Sequence, residues 1–274
     1  MIKYLVMDLD NTFLRADKSI PEENITALKM LKEKGIKVII SSGRSNMSLD
    51  IYAEKLGLDY EGNYIIAHNG CRIYEAKSKK VLREYLLDND TAAKISDIVT
   101  EIVPNTLCYS NSRLYTENIT EVTKRYAKNS SLVLNRVDSL KSIIEGDVQK
   151  IIMIGEHETL YGAYRQVVEK LGSEIDAEMF YSSNDLFEFE AKGKNKGTAL
   201  LELAEILNEP VEVFAAVGDN QNDIEMIAYA GLGMTVANGV EGCKKAAKYI
   251  TKADCENAGF AEACNYVLKE SLTK

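Results

Sequence analysis

The stretch "LVMDLDNTFL", residues Leu5 to Leu14, decides how the chain is read. Leu5, Val6 and Met7 lead into Asp8, and Leu9 alone separates that acid from Asp10, with Thr12 two residues on. Apolar residues at every position, rather than every second one, suit a strand buried on both faces of a parallel sheet. A carboxylate at the end of such a strand is costly unless it is paired or holds a cation. The stretch therefore predicts an architecture and a site together.

The same signature recurs along the chain: "KVII" before Ser41, "YIIA" before His68 and "VFAAV" before Gly218. Between the first two strands, residues 21–34 open on Pro21, Glu22 and Glu23, place Ile25, Leu28 and Leu31 on one side, and stop at Gly35, which reads as a helix. Strand, helix and strand in that order imply right-handed crossovers and an α/β fold with a doubly wound, parallel, Rossmann-like sheet. The pattern changes between about Glu84 and Glu188. An amphipathic helix (Ile95, Ile98, Val99, Ile102), the hairpin-like "LCYSNSRLYTE" and the strand "QKIIMIG" fall there. An interruption of roughly 105 residues is the size of a domain. The expected organisation is a core of residues 1–83 and 189–274 with a cap domain, residues 84–188, inserted between them.

Composition narrows the function. A hydrophobic fraction of 46% and a charged fraction of 27% are those of a soluble globular chain. With 33 basic against 42 acidic residues, the net charge of −9 disfavours non-specific binding to nucleic acid or to an anionic membrane. A small anion would need a local positive site. The five cysteines (Cys71, Cys108, Cys243, Cys255, Cys264) form no CxxC pair and suggest neither a disulfide framework nor a zinc cluster. The start "MIKYLVMDLD" does not read as a signal peptide and no run approaches membrane-spanning length, so a cytoplasmic location is expected.

Ligands of open parallel sheets bind at the carboxyl ends of the strands. There the chain sets Asp8, Asp10 and Thr12; then Ser42, Gly43 and Arg44; and then "GDNQND", with Asp219, Asn222 and Asp223. Four carboxylates converging on one edge would repel each other unless a hard divalent cation lay among them, and oxygen-only ligands point to Mg²⁺ rather than zinc. Positive charge comes from "KGKNKG", where Lys196 and Gly197 open a helix and offer free amides to an anion. A metal, a lysine, a hydroxyl and an aspartate able to attack are the parts of a phosphoryl-transfer site.

These pieces, in this order, resemble the haloacid dehalogenase superfamily of phosphatases. "DLDNTFL" is similar to its DxDx(T/V) motif, "ISSGR" to its strand-end Ser/Thr, Lys196 in "KNKG" to its lysine and "VGDNQND" to its GDxxND motif. The large insertion, "AHNGCRIY" at 67–74 and "TVANGVEGCKKAAKYIT" at 235–251 resemble the Cof-type subgroup with an α/β cap. The resemblance implies that Asp8 attacks phosphorus to form an aspartyl phosphate while Asp10 serves as general acid and then base. It implies that Mg²⁺ is held by the Asp8 and Asp219 carboxylates and the Asp10 main-chain carbonyl, with Asp223 a ligand or a support behind one. Ser42, Lys196 and Asn222 would hold phosphoryl oxygens, aided by the Leu9 and Gly43 amides. Where this subgroup usually reads Thr-Gly-Arg the chain has Ser42-Gly43-Arg44, and Ser41 is a rival for the hydroxyl role. The implied activity is hydrolysis of a small phosphorylated metabolite, a sugar phosphate or a phosphorylated cofactor. A phosphomutase or phosphotransferase using the same intermediate, or a phospho-acceptor switch, is the alternative.

Overall fold

The computed structural model describes residues 1–172 and 175–272. The first part of the chain forms strands β1 (Tyr4–Met7), β2 (Lys37–Ser41), β3 (Tyr64–Ala67), β4 (Arg72–Glu75) and β5 (Val81–Glu84), with helices α1 (Glu22–Glu33) and α2 (Asn46–Lys55). The middle forms α3 (Asn89–Ile102), β6 (Thr106–Ser110), β7 (Arg113–Thr116), α4 (Glu121–Asn129), β8 (Leu134–Arg136), β9 (Val148–Ile154), α5 (His157–Leu171), β10 (Glu178–Ser183) and β11 (Leu186–Glu190). The last part contributes α6 (Lys196–Ile206), β12 (Phe214–Gly218), α7 (Ile224–Tyr229), β13 (Leu232–Thr235), α8 (Glu241–Ala246), β14 (Tyr249–Ile250) and α9 (Gly259–Leu272).

Two compact units result: Met1–Gly43, Leu49–Arg83 and the chain from Asn195 onward form one, and Glu84–Lys194 with Arg44–Ser48 form the other. In the first, eight strands run in the order β14-β13-β12-β1-β2-β3-β4-β5. The run from β14 to β3 is parallel, and β4 turns antiparallel on β3. All four residues of β1 are buried. Leu5 and Met7 pack with Leu28 and Leu31 of α1, Leu49 of α2 and Phe260 of α9, while Tyr4 and Val6 pack with Leu200 and Leu203 of α6 and Met226 of α7. Two apolar faces are what an uninterrupted apolar strand needs, which explains "LVM". Helix α1 ends as its sequence suggests. Gly35 has φ of +74°, and the Ile36 amide reaches back to Leu31 O at 3.0 Å, a glycine-dependent C-cap.

The second unit carries a six-stranded sheet of order β10-β11-β9-β6-β7-β8. Ile95 and Val99 of α3 and Leu160 and Val167 of α5 pack on one face with Ile151, Met153, Phe187 and Phe189. The hairpin of β6 and β7 turns at Asn111 and Ser112, both with positive φ (+50° and +57°), the backbone of a two-residue turn that matches strand twist. β11 continues to Glu190 and pairs with β9 and β10, within a unit that runs to Lys194.

Candidate active site

The site lies at the carboxyl edge of the first unit's sheet, around its central strands. Asp8 is the residue after β1, and its amide donates to Val217 O of β12 at 3.0 Å, extending the ladder by one step. Its side chain is buried. The loop after β12 supplies Asp219 and Asp223. Asp223 folds back on its own loop, where its Oδ2 accepts the Asp219 and Asn220 amides, each at 3.0 Å. That return passes so close to Gly218 that a Cβ there would lie 2.4 Å from Asp223 Cγ, which only glycine permits.

Lys196 opens α6, whose start is set by "NKGT". Asn195 is the N-cap: its side chain accepts the Thr198 amide at 2.9 Å and the Thr198 hydroxyl accepts the Asn195 amide at 3.1 Å. This reciprocal box fixes the first turn. The Lys196 ammonium donates to Asp8 Oδ1 and to Asp223 Oδ1, both at 2.7 Å, with the side chain 1% exposed. Thr12 donates its hydroxyl to Asp219 Oδ1 at 2.7 Å.

Ligand atoms from Asp8, Asp219 and Asp223 come within 4.8 Å of one another. Three buried carboxylates thus lie beside a single lysine that touches two of them, Asp8 and Asp223, and the electrostatics follow. Burial pushes the Asp8 carboxyl up to about 7, with Lys196 opposing and Asp223 adding to the rise. Burial, with Asp8 and Asp223 beside it, pushes Asp219 up to about 8. Burial works against the Lys196 charge, but Asp223 and Asp8 outweigh it and hold its pKa above the usual lysine value. An all-oxygen group of acids that burial, and then mutual repulsion, drives towards protonation fits a hard divalent cation.

The remaining expected residues divide. The Asp10 carboxylate is outside the three-acid group and pairs with Lys18 at 2.8 Å, its side chain 31% exposed. Leu9 is buried, and its carbonyl accepts the Leu14 amide at 2.8 Å. Ser42 is buried at the end of β2, donating its amide to Ile66 O at 3.0 Å. The Ser41 hydroxyl is buried without a hydrogen-bond partner. Asn222 donates Nδ2 to Asn69 Oδ1 at 2.9 Å. Asn238 ties the loop after β1 to the closing segment, donating to Asn11 O and accepting the Cys255 amide, each at 2.8 Å.

Thr12, Asn69 and Asn195 are engaged at the site without having been among the expected ligands. The signals for Asn195 and Thr12 were local: an N-cap residue before a helix, and a hydroxyl just past two acids. Asn69 carried only the Asn-Gly pair of "AHNG", which marks tolerance of left-handed backbone and not a partner.

The first unit thus joins a mainly parallel sheet to a cluster of aspartates and a lysine at the carboxyl edge of its strands. Residues 5–263 match the family described as haloacid dehalogenase-like hydrolase. YxeH of Bacillus subtilis (strain 168) is 31% identical over 273 residues, covering 96% of this chain and 97% of that protein. The 5-amino-6-(5-phospho-D-ribitylamino)uracil phosphatase YcsE of the same organism is 29% identical, covering 97% and 95%. A crystal structure of a haloacid dehalogenase-like hydrolase from Bacteroides thetaiotaomicron superposes with a TM-score of 0.88 at 27% identity, covering 97% of this chain and 100% of that one. The chain belongs to the haloacid dehalogenase-like hydrolase family and is an enzyme of its phosphatase class. Among the described residues no helix is long and apolar enough to cross a membrane.

Proposed function

We propose that the chain is a Mg²⁺-dependent phosphomonoester hydrolase of small phosphorylated metabolites, sugar phosphates or phosphorylated cofactors, acting through an aspartyl phosphate on Asp8. The observation that carries this reading is the buried Asp8–Lys196–Asp223 array beside Asp219. Asp8 is held in one orientation by Lys196, so an oxygen is positioned for attack without paying for a rotamer search at the moment of reaction. The cation would be held by the Asp8 and Asp219 carboxylates and the Asp10 main-chain carbonyl, with Asp223 a ligand or a support. When bound, it supplies the positive charge that keeps the acids ionised and offsets charge on the phosphoryl group.

An Asp8 carboxylate oxygen attacks phosphorus as the ester P–O bond breaks, and Asp10, having left Lys18 and taken up a proton from solvent, gives that proton to the departing oxygen. Asp10 then takes a proton from water, the water oxygen attacks phosphorus, and the Asp8–phosphorus bond breaks to release phosphate. For this work the Asp10 carboxylate must leave Lys18, which a partly exposed pair allows at small cost. Ser42, Lys196, Asn222 and the Leu9 and Gly43 amides hold the phosphoryl oxygens. Residues 84–188 form a domain inserted between core segments 1–83 and 189–274. The similarity to a phosphatase of a ribityl phosphate supports small polyol-bearing substrates.

The test is phosphate release from sugar phosphates, nucleotides, flavin phosphate and pyridoxal phosphate, with Mg²⁺ and with chelator, using Asp8→Asn as the blank. Metal-dependent release absent from the blank supports the reading. Transfer to a second phosphorylated compound without net release would move the assignment to a mutase or phosphotransferase.

A further inference from the structure

After β3 the backbone enters the left-handed region at three consecutive residues: His68 (φ +49°), Asn69 (+51°) and Gly70 (+105°). Left-handed backbone is strained for non-glycine residues and persists where surrounding contacts hold it, often at functional sites. Asparagine tolerates it better than most. The contacts here converge on Asn69, which is 2% exposed. Its amide donates to Ser42 O at 3.1 Å, its side-chain oxygen accepts from Asn222 at 2.9 Å, and Gly43 packs so close that a Cβ there would lie 2.8 Å from that same oxygen. One buried asparagine therefore joins the loops that follow β2, β3 and β12.

The consequence concerns Asn222. A side-chain amide offers two N–H groups at one end and an acceptor oxygen at the other. With one N–H given to Asn69 Oδ1, the nitrogen end of the Asn222 amide is fixed on this side. A reversed amide would set its oxygen against Asn69 Oδ1 and against any phosphoryl oxygen.

We infer that Asn69 is a positioning residue: by accepting from Asn222 and seating Gly43, it holds the Asn222 amide with its N–H end towards the phosphoryl group. This rests on the phosphatase reading, in which Asn222 is a phosphate ligand. Asn69→Gly removes the amide while easing the left-handed turn, so the backbone survives the change. Inorganic phosphate binding in Mg²⁺, by titration calorimetry, falls about tenfold in Asn69→Gly, the scale of a hydrogen bond to a charged group. In an Asn222→Ala background the same substitution costs less than about twofold, because its target is gone. Asn69→Asp, which keeps an acceptor oxygen and tolerates the same backbone, is the second variant: there Asn222→Ala still weakens phosphate binding. Unchanged phosphate affinity in Asn69→Gly, or an equal loss in both backgrounds, overturns the positioning role alone. A wild-type protein that binds no phosphate and hydrolyses no phosphomonoester overturns it together with the phosphatase reading.

Discussion

Replacing Lys196 with methionine keeps most of the side chain's volume and removes the ammonium that bridges Asp8 and Asp223 at 2.7 Å. Breaking a buried pair by deleting one partner costs about 3–5 kcal/mol, because the charges left behind have lost their hydration as well as their partner. At about 2–4 °C per kcal/mol, melting of the first unit should fall by about 10 °C in chelator. The loss depends on pH with a defined sign. Asp8 and Asp219 have folded-state pKa values raised from 3.8 to about 7 and about 8. Their favourable contribution is complete below the unfolded value and is lost as pH rises through the folded one. Lys196 lowers the pKa of both, so its removal widens that window. Lys196→Met should therefore approach wild type near pH 5.5 and fall furthest behind near pH 8.5, read by circular-dichroism melts of metal-free protein. Phosphate release should drop by about 10²–10³ at any pH, as when one preorganised donor is deleted. Equal destabilisation at both pH values, or none, would refute the claim that the lysine offsets ionised carboxylates.

Adding Mg²⁺ to wild type should raise the melting temperature more at pH 8.5 than at pH 6, since protons compete with the cation for Asp8 and Asp219; a larger gain at pH 6 would contradict the proposed ligands. Asp8→Asn should abolish turnover yet melt no lower than wild type in chelator at pH 8, because it removes one of three crowded negative charges; residual turnover would take the nucleophile assignment from Asp8. Asp10→Asn should slow both half-reactions, by about 10²–10⁴, in rapid-quench measurements. Stability should change by under about 1 kcal/mol because its pair with Lys18 is partly exposed; an unchanged rate would remove it from acid and base chemistry.

Much of the fold is legible because its signals are local. The apolar run before Asp8 forms a strand buried on both faces, Gly35 stops α1, and "LCYSNSRLYTE" makes a hairpin because Asn111 and Ser112 accept left-handed backbone. The acids of the site are legible for a related reason: parallel strands deliver the residues that follow them to one edge, so Asp8 and Asp219 meet without knowledge of side-chain detail.

What the sequence by itself determined is which residues reach that edge. Which of them touch is a property of the tertiary structure. Asp8 and Asp10 are two residues apart, yet one turns to Lys196 across 188 residues and the other to nearby Lys18. Asn69 meets Asn222 across 153 residues through a strained turn that no periodicity announces. β11 joins the sheet of β9 and β10 because a strand belongs to the sheet that pairs it, and pairing is long-range. Period and propensity act over a few residues, whereas charge pairing, amide orientation and strand partnership depend on neighbours that only folding supplies.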